Sequence, residues 1–278
     1  MLREHRRVAV VTGAGRTTGI GQAIARRLLR DGLVVAVSDI GHADSLHLEA
    51  NTTAGSELEH TATLLEDDGT VVAYDCDVRS EQQVDHMMAQ VLERFGRLDV
   101  LVNNAGLSSG LKPVTDVTLA EWQLNIDVMA TGVFLCSRAA ARIMVENKTA
   151  GRIITIASQA GKTGIGQLAA YSAAKFAAIG FTQALAQELG SSGITVNSVC
   201  PGTIDTPLNE VDGGIFDVYA KMAGITREDY KRRFTRHIPV QRFGTPADIA
   251  AMVAFLASEE AAFVTGAAFN VTGGQEMH

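Results

Sequence analysis

The feature that most constrains the fold of this chain is a series of short apolar runs separated by longer stretches. Seven β-rich runs recur along the 278 residues, at 8–12, 33–39, 71–76, 98–104, 152–158, 194–200 and 267–272. Each run is apolar on both faces, which is typical of strands in a parallel sheet covered by helices. The runs therefore predict a buried parallel sheet of about seven strands.

Helix-length segments lie between these runs, at 19–31, 80–95, 118–147, 169–190 and 246–258. Two of them begin with residues suited to a helix N-terminus: Thr118-Leu-Ala-Glu121 and Thr245-Pro-Ala-Asp248. Alternation of strands and helices at this spacing predicts an α/β fold, a single-domain Rossmann-type doubly wound sheet with helices on both faces.

Length, charge and cysteine content narrow the class of protein. The chain has 46% apolar residues and a net charge of −7, with no basic cluster. We therefore expect no nucleic-acid partner and no membrane partner. Cys76, Cys136 and Cys200 are odd in number and lack the spacing of metal ligands. We expect no metal site, and a reducing, cytoplasmic location.

One stretch, residues 203–243, interrupts the alternation with Pro207, a Gly213-Gly214 pair and a polar helix-like segment. It follows the carboxyl end of a predicted strand, where ligands of such sheets bind. The stretch is predicted to be a substrate lid or a surface excursion, and both interpretations stay open.

A glycine-rich turn follows the first predicted strand and opens the first predicted helix. Its sequence, TGAGRTTGIG at 12–21, lets the backbone approach a pyrophosphate at a helix N-terminus. Asp39 ends the next strand, where a carboxylate would accept hydrogen bonds from ribose hydroxyls and repel a 2′-phosphate. This favours NAD over NADP. Arg16 is the counter-argument, because a guanidinium in the turn would hold a 2′-phosphate.

Two further strand ends carry small or polar residues. Asp77-Val78 follows the third strand, where a carboxylate would lie near the adenine amino group. The sequence NNAG at 103–106 ends the fourth strand with residues that suit a backbone wrapped around a nicotinamide ribose. Both segments are predicted to contact the cofactor.

Three residues have the pattern of a proton-transfer site. Tyr171 and Lys175 stand four residues apart in a helical segment, and Ser158 ends an apolar strand thirteen residues upstream of Tyr171. Four residues is about one helical turn, so the phenol and the ammonium leave the same face. A cation within about 4–6 Å lowers the pKa of a phenol from its usual value of about 10. The trio predicts alcohol and carbonyl chemistry.

Taken together and in this order, these motifs resemble the short-chain dehydrogenase/reductase superfamily. The resemblance runs from Thr12 to Gly274 and includes PGTIDT at 201–206. It implies that Ser158 hydrogen-bonds the substrate oxygen, Tyr171 transfers the proton, and Lys175 lowers the pKa of the tyrosine and holds the ribose. The predicted cofactor contacts are Gly13, Arg16, Gly19, Ile20, Gly21, Asp39, Asp77, Val78, Asn104, Ala105, Gly106, Tyr171, Lys175, Pro201, Gly202, Ile204 and Thr206.

Within the superfamily, the segments 158–164, 171–183, 194–202 and 268–275 look most like polyol dehydrogenases of the sorbitol-6-phosphate and galactitol kind and like acetoin/2,3-butanediol dehydrogenases. The resemblance implies an NAD-dependent oxidoreductase acting on a small polyol or vicinal diol and its ketone. The substrate would contact Ser158, Tyr171 and Gln159, whose amide would reach a neighbouring hydroxyl. Asn209 is a further candidate, although it suits a satisfied loop amide better.

The chain departs from the family pattern at two places. Thr17 and Thr18 lengthen the glycine turn by two residues. In WQLNIDVMATGVF, Met129 stands where the family carries a catalytic asparagine that supports a water in the proton relay. Methionine cannot donate a hydrogen bond, so we expect a rerouted or weakened relay. Asn125, one turn earlier, is predicted to reach part of the gap.

Two other functions remain open. An NADPH-dependent 3-oxoacyl (acyl carrier protein) reductase shares the same trio, and Arg16 supports it. The second is a catalytically weak NAD-binding subunit, which is suggested by Met129 at the position of the family's catalytic asparagine. The family resemblance also implies a homo-oligomer, with a homotetramer expected, in which the long helices at 118–147 and 169–190 are candidate contact faces.

Overall fold

A computed structural model of the chain describes residues 6–40, 55–206 and 214–278, with the side chains of residues 55 and 56 left out. The seven apolar runs form one parallel sheet in the order β3-β2-β1-β4-β5-β6-β7. The strands are β1 (Val8–Thr12), β2 (Val34–Asp39), β3 (Val71–Asp75), β4 (Val100–Asn103), β5 (Arg152–Ile156), β6 (Thr195–Pro201) and β7 (Ala268–Val271). The predicted doubly wound parallel sheet is confirmed.

Helices cover both faces of this sheet. They are α1 (Ile20–Arg30), α2 (Gly55–Leu65), α3 (Glu81–Phe95), α4 (Leu119–Ile126), α5 (Gly132–Glu146), α6 (Ala169–Leu189), α7 (Ile215–Met222), α8 (Arg227–Thr235) and α9 (Pro246–Ala257). One apolar core packs α3, α5 and α6 against one face, and a second packs α1, α2 and α9 against the other. Along β1, Val8 and Val10 face the first core while Ala9 and Val11 face the second, so the strand is apolar throughout because both of its faces are buried.

The two sequence-predicted helix starts are capping boxes. Thr118 accepts a hydrogen bond from the Glu121 N–H while the Glu121 carboxylate accepts from the Thr118 N–H, and Thr245 and Asp248 make the same exchange. Each box satisfies N–H groups that have no partner within the helix. These starts are confirmed.

Helices α4 and α5 are joined by a π-helical turn, Asp127–Thr131. The continuous stretch Leu119–Glu146 is long and apolar enough, by composition, to cross a bilayer. However, 61% of its apolar window is buried inside the fold, as in a core helix. The π turn widens the helix locally at Met129, and such turns are frequent at functional sites.

The described part of the stretch that interrupts the alternation contains two helices. Helix α7 and helix α8 pack on each other, and their aromatic residues Phe216, Tyr219, Tyr230 and Phe234 cluster with Phe243 from the loop before α9. Residues 207–213 of the predicted lid, with Pro207, Gly213 and Asn209, lie outside the described residues. The aromatic cluster places apolar side chains beyond the carboxyl end of β6, where ligands of parallel sheets bind.

Candidate active site

A cavity of about 660 Å³ opens at the carboxyl ends of the strands. It spans the point where β1 and β4 lie side by side and the strand order reverses, the place where ligands of doubly wound sheets bind. Nineteen residues that the sequence marked for cofactor, substrate or catalysis line it: Gly13, Arg16, Gly19, Ile20, Gly21, Asp39, Asp77, Val78, Asn104, Ala105, Gly106, Ser158, Gln159, Tyr171, Lys175, Pro201, Gly202, Ile204 and Thr206. Asn103 does not line it, and Asn209 lies outside the described residues.

The glycine turn after β1 is held tightly against the loop after β4. Asn104 donates from Nδ2 to the carbonyls of Thr12 and Gly13 at 2.9 and 2.8 Å. Gly13 has φ +65, and a Cβ there would lie 2.5 Å from the Ala105 Cα. A Cβ on Gly21 would lie 2.6 Å from both the Asn104 Nδ2 and the Gly13 carbonyl oxygen. Only glycine fits at these two positions, which leaves a backbone cradle suited to a pyrophosphate at the start of α1.

Asp39, at the end of β2, links the second strand to this cradle. Its carboxylate accepts hydrogen bonds from the Gly15 N–H at 2.8 Å and from the Ile40 N–H at 2.9 Å. Thr61 from α2, a residue that the sequence did not single out, donates to the Gly15 carbonyl at 2.6 Å. The carboxylate is therefore fixed at the cavity wall, with Arg16 lining the same end. These residues fit an adenosine ribose.

Asp77 lines the cavity after β3, but it has a close cationic partner. Its carboxylate accepts bidentate hydrogen bonds from Arg79, the shortest at 2.6 Å. Arg79 also lines the cavity and was missed by the sequence reasoning, although an arginine two residues after a strand-end aspartate is a readable signal. Asp77 is thereby oriented, with its charge offset by the guanidinium.

The three predicted proton-transfer residues meet at one wall. Ser158 follows β5, and its Oγ accepts from the Ala160 N–H at 3.1 Å. Tyr171, in the first turn of α6, hydrogen-bonds with the Ser158 side chain. Lys175, one turn later, donates from Nζ to the Ile156 carbonyl at 2.8 Å and lies 5.6 Å from the Tyr171 ring centroid. The phenol, the hydroxyl and the ammonium thus face the same cavity.

The lowering of the tyrosine pKa by lysine stays a prediction, and burial opposes it. Burial raises the pKa of Tyr171, and the hydrogen bond with Ser158 only partly opposes this. Burial lowers the pKa of Lys175 to about 8. The lysine therefore loses its proton at a lower pH than the tyrosine, so it carries no charge at the pH where the phenol would ionise.

Met129 sits in the π turn beside the lysine. It is fully buried and lines the cavity. Its Sδ and the Lys175 Nζ lie 3.6 and 3.7 Å from the same point, where a Cβ on Gly106 would be. The thioether and the ammonium therefore both approach Gly106, and a thioether sulfur is only a weak hydrogen-bond acceptor.

The expectation that Asn125 reaches this gap is wrong. Its Nδ2 donates to the carbonyls of Ser109 and Glu121 at 3.0 and 2.7 Å, and the residue does not line the cavity. Its Nδ2 braces the loop after β4 instead, because both backbone carbonyls are within its reach. Its Oδ1 is buried without a partner in the described part of the chain.

An apolar and aromatic wall on the substrate side was missed by the sequence reasoning. Tyr219 and Tyr230 stack at a centroid distance of 6.0 Å, and Tyr230 and Phe234 at 5.6 Å. The Tyr219 hydroxyl donates to the Gly166 carbonyl at 3.0 Å, which ties α7 to the loop before α6. The apolar residues of this wall are Leu107, Val128, Ile165, Leu168, Phe216, Tyr219, Tyr230 and Phe234. The i,i+4 spacing of Tyr230 and Phe234 was a readable signal.

The geometry can be compared with known proteins. The family model described as enoyl-(acyl carrier protein) reductase matches residues 13–276, nearly the whole chain. The chain belongs to the short-chain dehydrogenase/reductase superfamily. The resemblance seen in the sequence is thereby confirmed, and the chain is an NAD(P)-dependent oxidoreductase acting on keto or hydroxyl groups.

Relatives in this superfamily differ in substrate. The chain is 38% identical to a 3-oxoacyl-[acyl-carrier-protein] reductase of Synechocystis sp., covering 97% of each chain. It is 32% identical to a sorbitol dehydrogenase of Cereibacter sphaeroides, covering 99% of this chain and 100% of that one. The similarity to polyol dehydrogenases is therefore shared with ketoacyl reductases, which match at higher identity.

Two solved structures are similar over nearly the whole chain. An actinorhodin polyketide ketoreductase variant with NADPH has a TM-score of 0.89 at 37% identity, covering 100% of both chains. An NAD+-bound xylitol dehydrogenase has a TM-score of 0.85 at 29% identity, covering 96% of this chain and 98% of that one. Members of the family therefore bind a nicotinamide cofactor in this fold, NADPH in the first of these structures and NAD+ in the second.

Proposed function

We propose that this chain reduces a ketone on an apolar, acyl-chain or ring-sized substrate to a secondary alcohol, with NADH as the hydride source. The wall formed by Phe216, Tyr219, Tyr230 and Phe234 is the observation that carries this proposal. Such side chains stabilise a bound substrate when they cover its apolar surface, and they offer few hydrogen bonds to a substrate with several hydroxyls. The identity to ketoacyl and polyketide reductases supports the same substrate class.

The small polyol predicted from the sequence is the second candidate. Gln159 lines the cavity next to Ser158, where its amide would serve a hydroxyl beside the reacting carbon. The sorbitol and xylitol dehydrogenases among the similar proteins favour this reading. It ranks second because a polyol would leave hydroxyls unpaired against the aromatic wall, at a cost of about 1–3 kcal/mol for each.

In the proposed reaction, the nicotinamide supplies the hydride when bound. Ser158 and Tyr171 hold the ketone oxygen by hydrogen bonds, and the Tyr171 phenol gives its proton to the oxygen as negative charge develops there. Lys175 would hold the ribose of the cofactor, and its Nζ donates to the Ile156 carbonyl at the end of β5. The cradle of Gly13, Gly19 and Gly21 would hold the pyrophosphate.

The protonated phenol of Tyr171 supports a role as the proton donor in ketone reduction. Because burial raises the pKa of Tyr171, the phenol stays protonated throughout the neutral range. A proton donor is what ketone reduction needs, whereas alcohol oxidation needs the phenolate as a base. The protonated phenol is thus the form of Tyr171 that acts when the ketone is reduced.

The preference for NADH over NADPH rests on Asp39. Its carboxylate is fixed by the Gly15 and Ile40 N–H groups at the end of β2, and a 2′-phosphate placed there would be repelled. Arg16 lines the same end of the cavity and is the residue that would favour NADPH. We also propose a homotetramer in the cytoplasm and a lid formed by residues 203–243, as expected from the sequence and the family.

The test is a comparison of substrates and cofactors. Reduction of 1-tetralone and of an acetoacetyl thioester is measured beside reduction of xylulose and oxidation of sorbitol, each with both dinucleotides. We expect the apolar ketones to turn over with a higher kcat/KM than the sugars, and NADH to be preferred. Faster turnover of the sugars than of both apolar ketones would contradict the proposed substrate class.

The cofactor assignment is tested by Asp39→Ser, with Asp31→Ser as the control because Asp31 lies outside the cavity in an ion pair with Arg27. Removing the carboxylate should raise the ratio of NADPH to NADH efficiency at least about tenfold, equivalent to about 1.4 kcal/mol. An unchanged ratio would show that Asp39 does not select the dinucleotide.

A further inference from the structure

The turn that leads into α6 contains a glutamine in an unfavourable backbone conformation. Residues 165–168 form a tight turn, closed by a hydrogen bond from the Leu168 N–H to the Ile165 carbonyl at 3.1 Å. Its third residue, Gln167, has φ +69, a region that favours glycine. The glycine of this turn, Gly166, lies one residue before the position with the positive φ, so it does not relieve the strain at Gln167. Strained residues of this kind persist at ligand-binding sites when the surroundings hold them in place.

The surroundings of this turn do hold it. The Tyr219 hydroxyl on α7 donates to the Gly166 carbonyl at 3.0 Å, and the Ile165 N–H donates to the Ser172 Oγ at 3.4 Å. Gln167 is thereby fixed at the cavity wall between α6 and the aromatic helices.

The side chain of Gln167 has no hydrogen-bond partner within the described part of the chain. Its Oε1 is buried. Leaving a buried polar atom unpaired is costly, so native proteins rarely do so without a reason. The same cavity holds a second such atom, the Oγ of Ser108, a residue that is 7% exposed. Both residues line the cavity, as the aromatic wall does.

We propose that Gln167 determines substrate specificity by hydrogen-bonding a hydroxyl carried by the ketone, so that the substrate class is apolar hydroxyketones. This rests on the proposed function and names its substrate more closely. A hydroxyl is the matching group because it donates to a carboxamide oxygen and accepts from a carboxamide N–H. A ketone without the hydroxyl leaves the buried carboxamide unpaired, which is how polar pockets reject analogues that lack one polar group.

The experiment compares two ketones that differ in one hydroxyl, 2-hydroxyacetophenone and acetophenone. Gln167→Met removes the carboxamide and keeps the length of the side chain, while Gln167→Gly removes it and suits the backbone conformation. The control is Gln241→Met, because Gln241 also has a positive φ, +54, and does not line the cavity. Steady-state reduction and thermal unfolding are measured for all four proteins.

For the parent chain, we expect a kcat/KM about tenfold higher for the hydroxylated ketone. Both Gln167 variants should lose about five- to tenfold on that ketone and stay within twofold on acetophenone, and the control should change neither value. Gln167→Gly relieves the strained φ, and an unfolding temperature like that of the parent excludes a failure to fold as the cause of its loss of activity.

Equal losses on the two ketones, or no loss on either, would overturn this proposal while leaving the proposed function intact. A loss in the Met variant alone would also overturn it, because bulk rather than the missing carboxamide would then explain the result. If the parent chain reduced neither these ketones nor 1-tetralone, the proposed function would fail and this inference with it.

Discussion

Lys175 is predicted to lower the stability of the fold at neutral pH, although it belongs to the active site. The residue is buried, and its Nζ donates a hydrogen bond to the Ile156 carbonyl. Burial lowers its pKa from 10.5 to about 8. The difference corresponds to about 3 kcal/mol, at 1.36 kcal/mol for each pH unit. The sign is destabilising, because folding must bury a charge that the unfolded chain leaves in water.

The perturbation is Lys175→Met, which keeps most of the side chain and removes the charge. The folded lysine is protonated only below about pH 8, while the unfolded lysine stays protonated up to 10.5. Burying the protonated lysine therefore lowers the free energy of unfolding of the parent by about 3 kcal/mol at pH 7, about 2 kcal/mol at pH 9 and about 1 kcal/mol at pH 10. The variant does not carry this cost. Loss of the hydrogen bond to Ile156 subtracts about 1–3 kcal/mol at every pH. The variant should thus gain stability relative to the parent as pH falls.

The assay is urea unfolding of both proteins at several pH values from 7 to 10, with the difference in the free energy of unfolding plotted against pH. Taking the difference removes the effect of other groups that titrate there, such as Cys76, whose pKa burial raises to about 12. Lys221→Met is the control, since Lys221 is exposed on α7. A difference that stays constant over this range would refute the reasoning.

Three further changes have expected outcomes. Met129→Asn places a hydrogen-bonding group beside the Lys175 Nζ, so kcat for ketone reduction should rise severalfold while stability falls by about 1–3 kcal/mol; an unchanged kcat would show that the position does not matter to the proton relay. Thr245→Ala removes the cap of α9 and should lower the free energy of unfolding by about 1 kcal/mol, measured by urea unfolding; a fall below about 0.3 kcal/mol would argue against the capping box. Gly13→Ala forces a Cβ to within 2.5 Å of the Ala105 Cα, so the variant should either not fold or not bind NADH. NADH binding is measured by NADH fluorescence, and normal binding would contradict the cradle.

The sheet and the location of the site could be predicted from the sequence because their signals are local. Each strand is an apolar run buried on both faces, and the boxes at Thr118 and Thr245 depend on residues three positions apart. Topology then brings the strand ends together. This is why Asp39, from β2, and Ser158, after β5, line one cavity although the chain separates them widely.

Other features depend on contacts between distant segments and could not be predicted. The orientation of Asn125 is set by the carbonyl of Ser109, and the order of the Tyr171 and Lys175 pKa values is set by burial rather than by their spacing. The aromatic wall required the packing of α7 on α8. The unpaired carboxamide of Gln167 follows from a turn conformation that its residues do not favour.

The central claim is that the Tyr171 phenol gives the proton to the ketone oxygen. The most direct measurement is single-turnover reduction of 1-tetralone by Tyr171→Phe, with NADH affinity determined in parallel by fluorescence. The claim predicts a fall in the rate of about 10²–10⁴-fold with NADH affinity changed less than threefold. A rate within tenfold of the parent, with NADH bound normally, would contradict it.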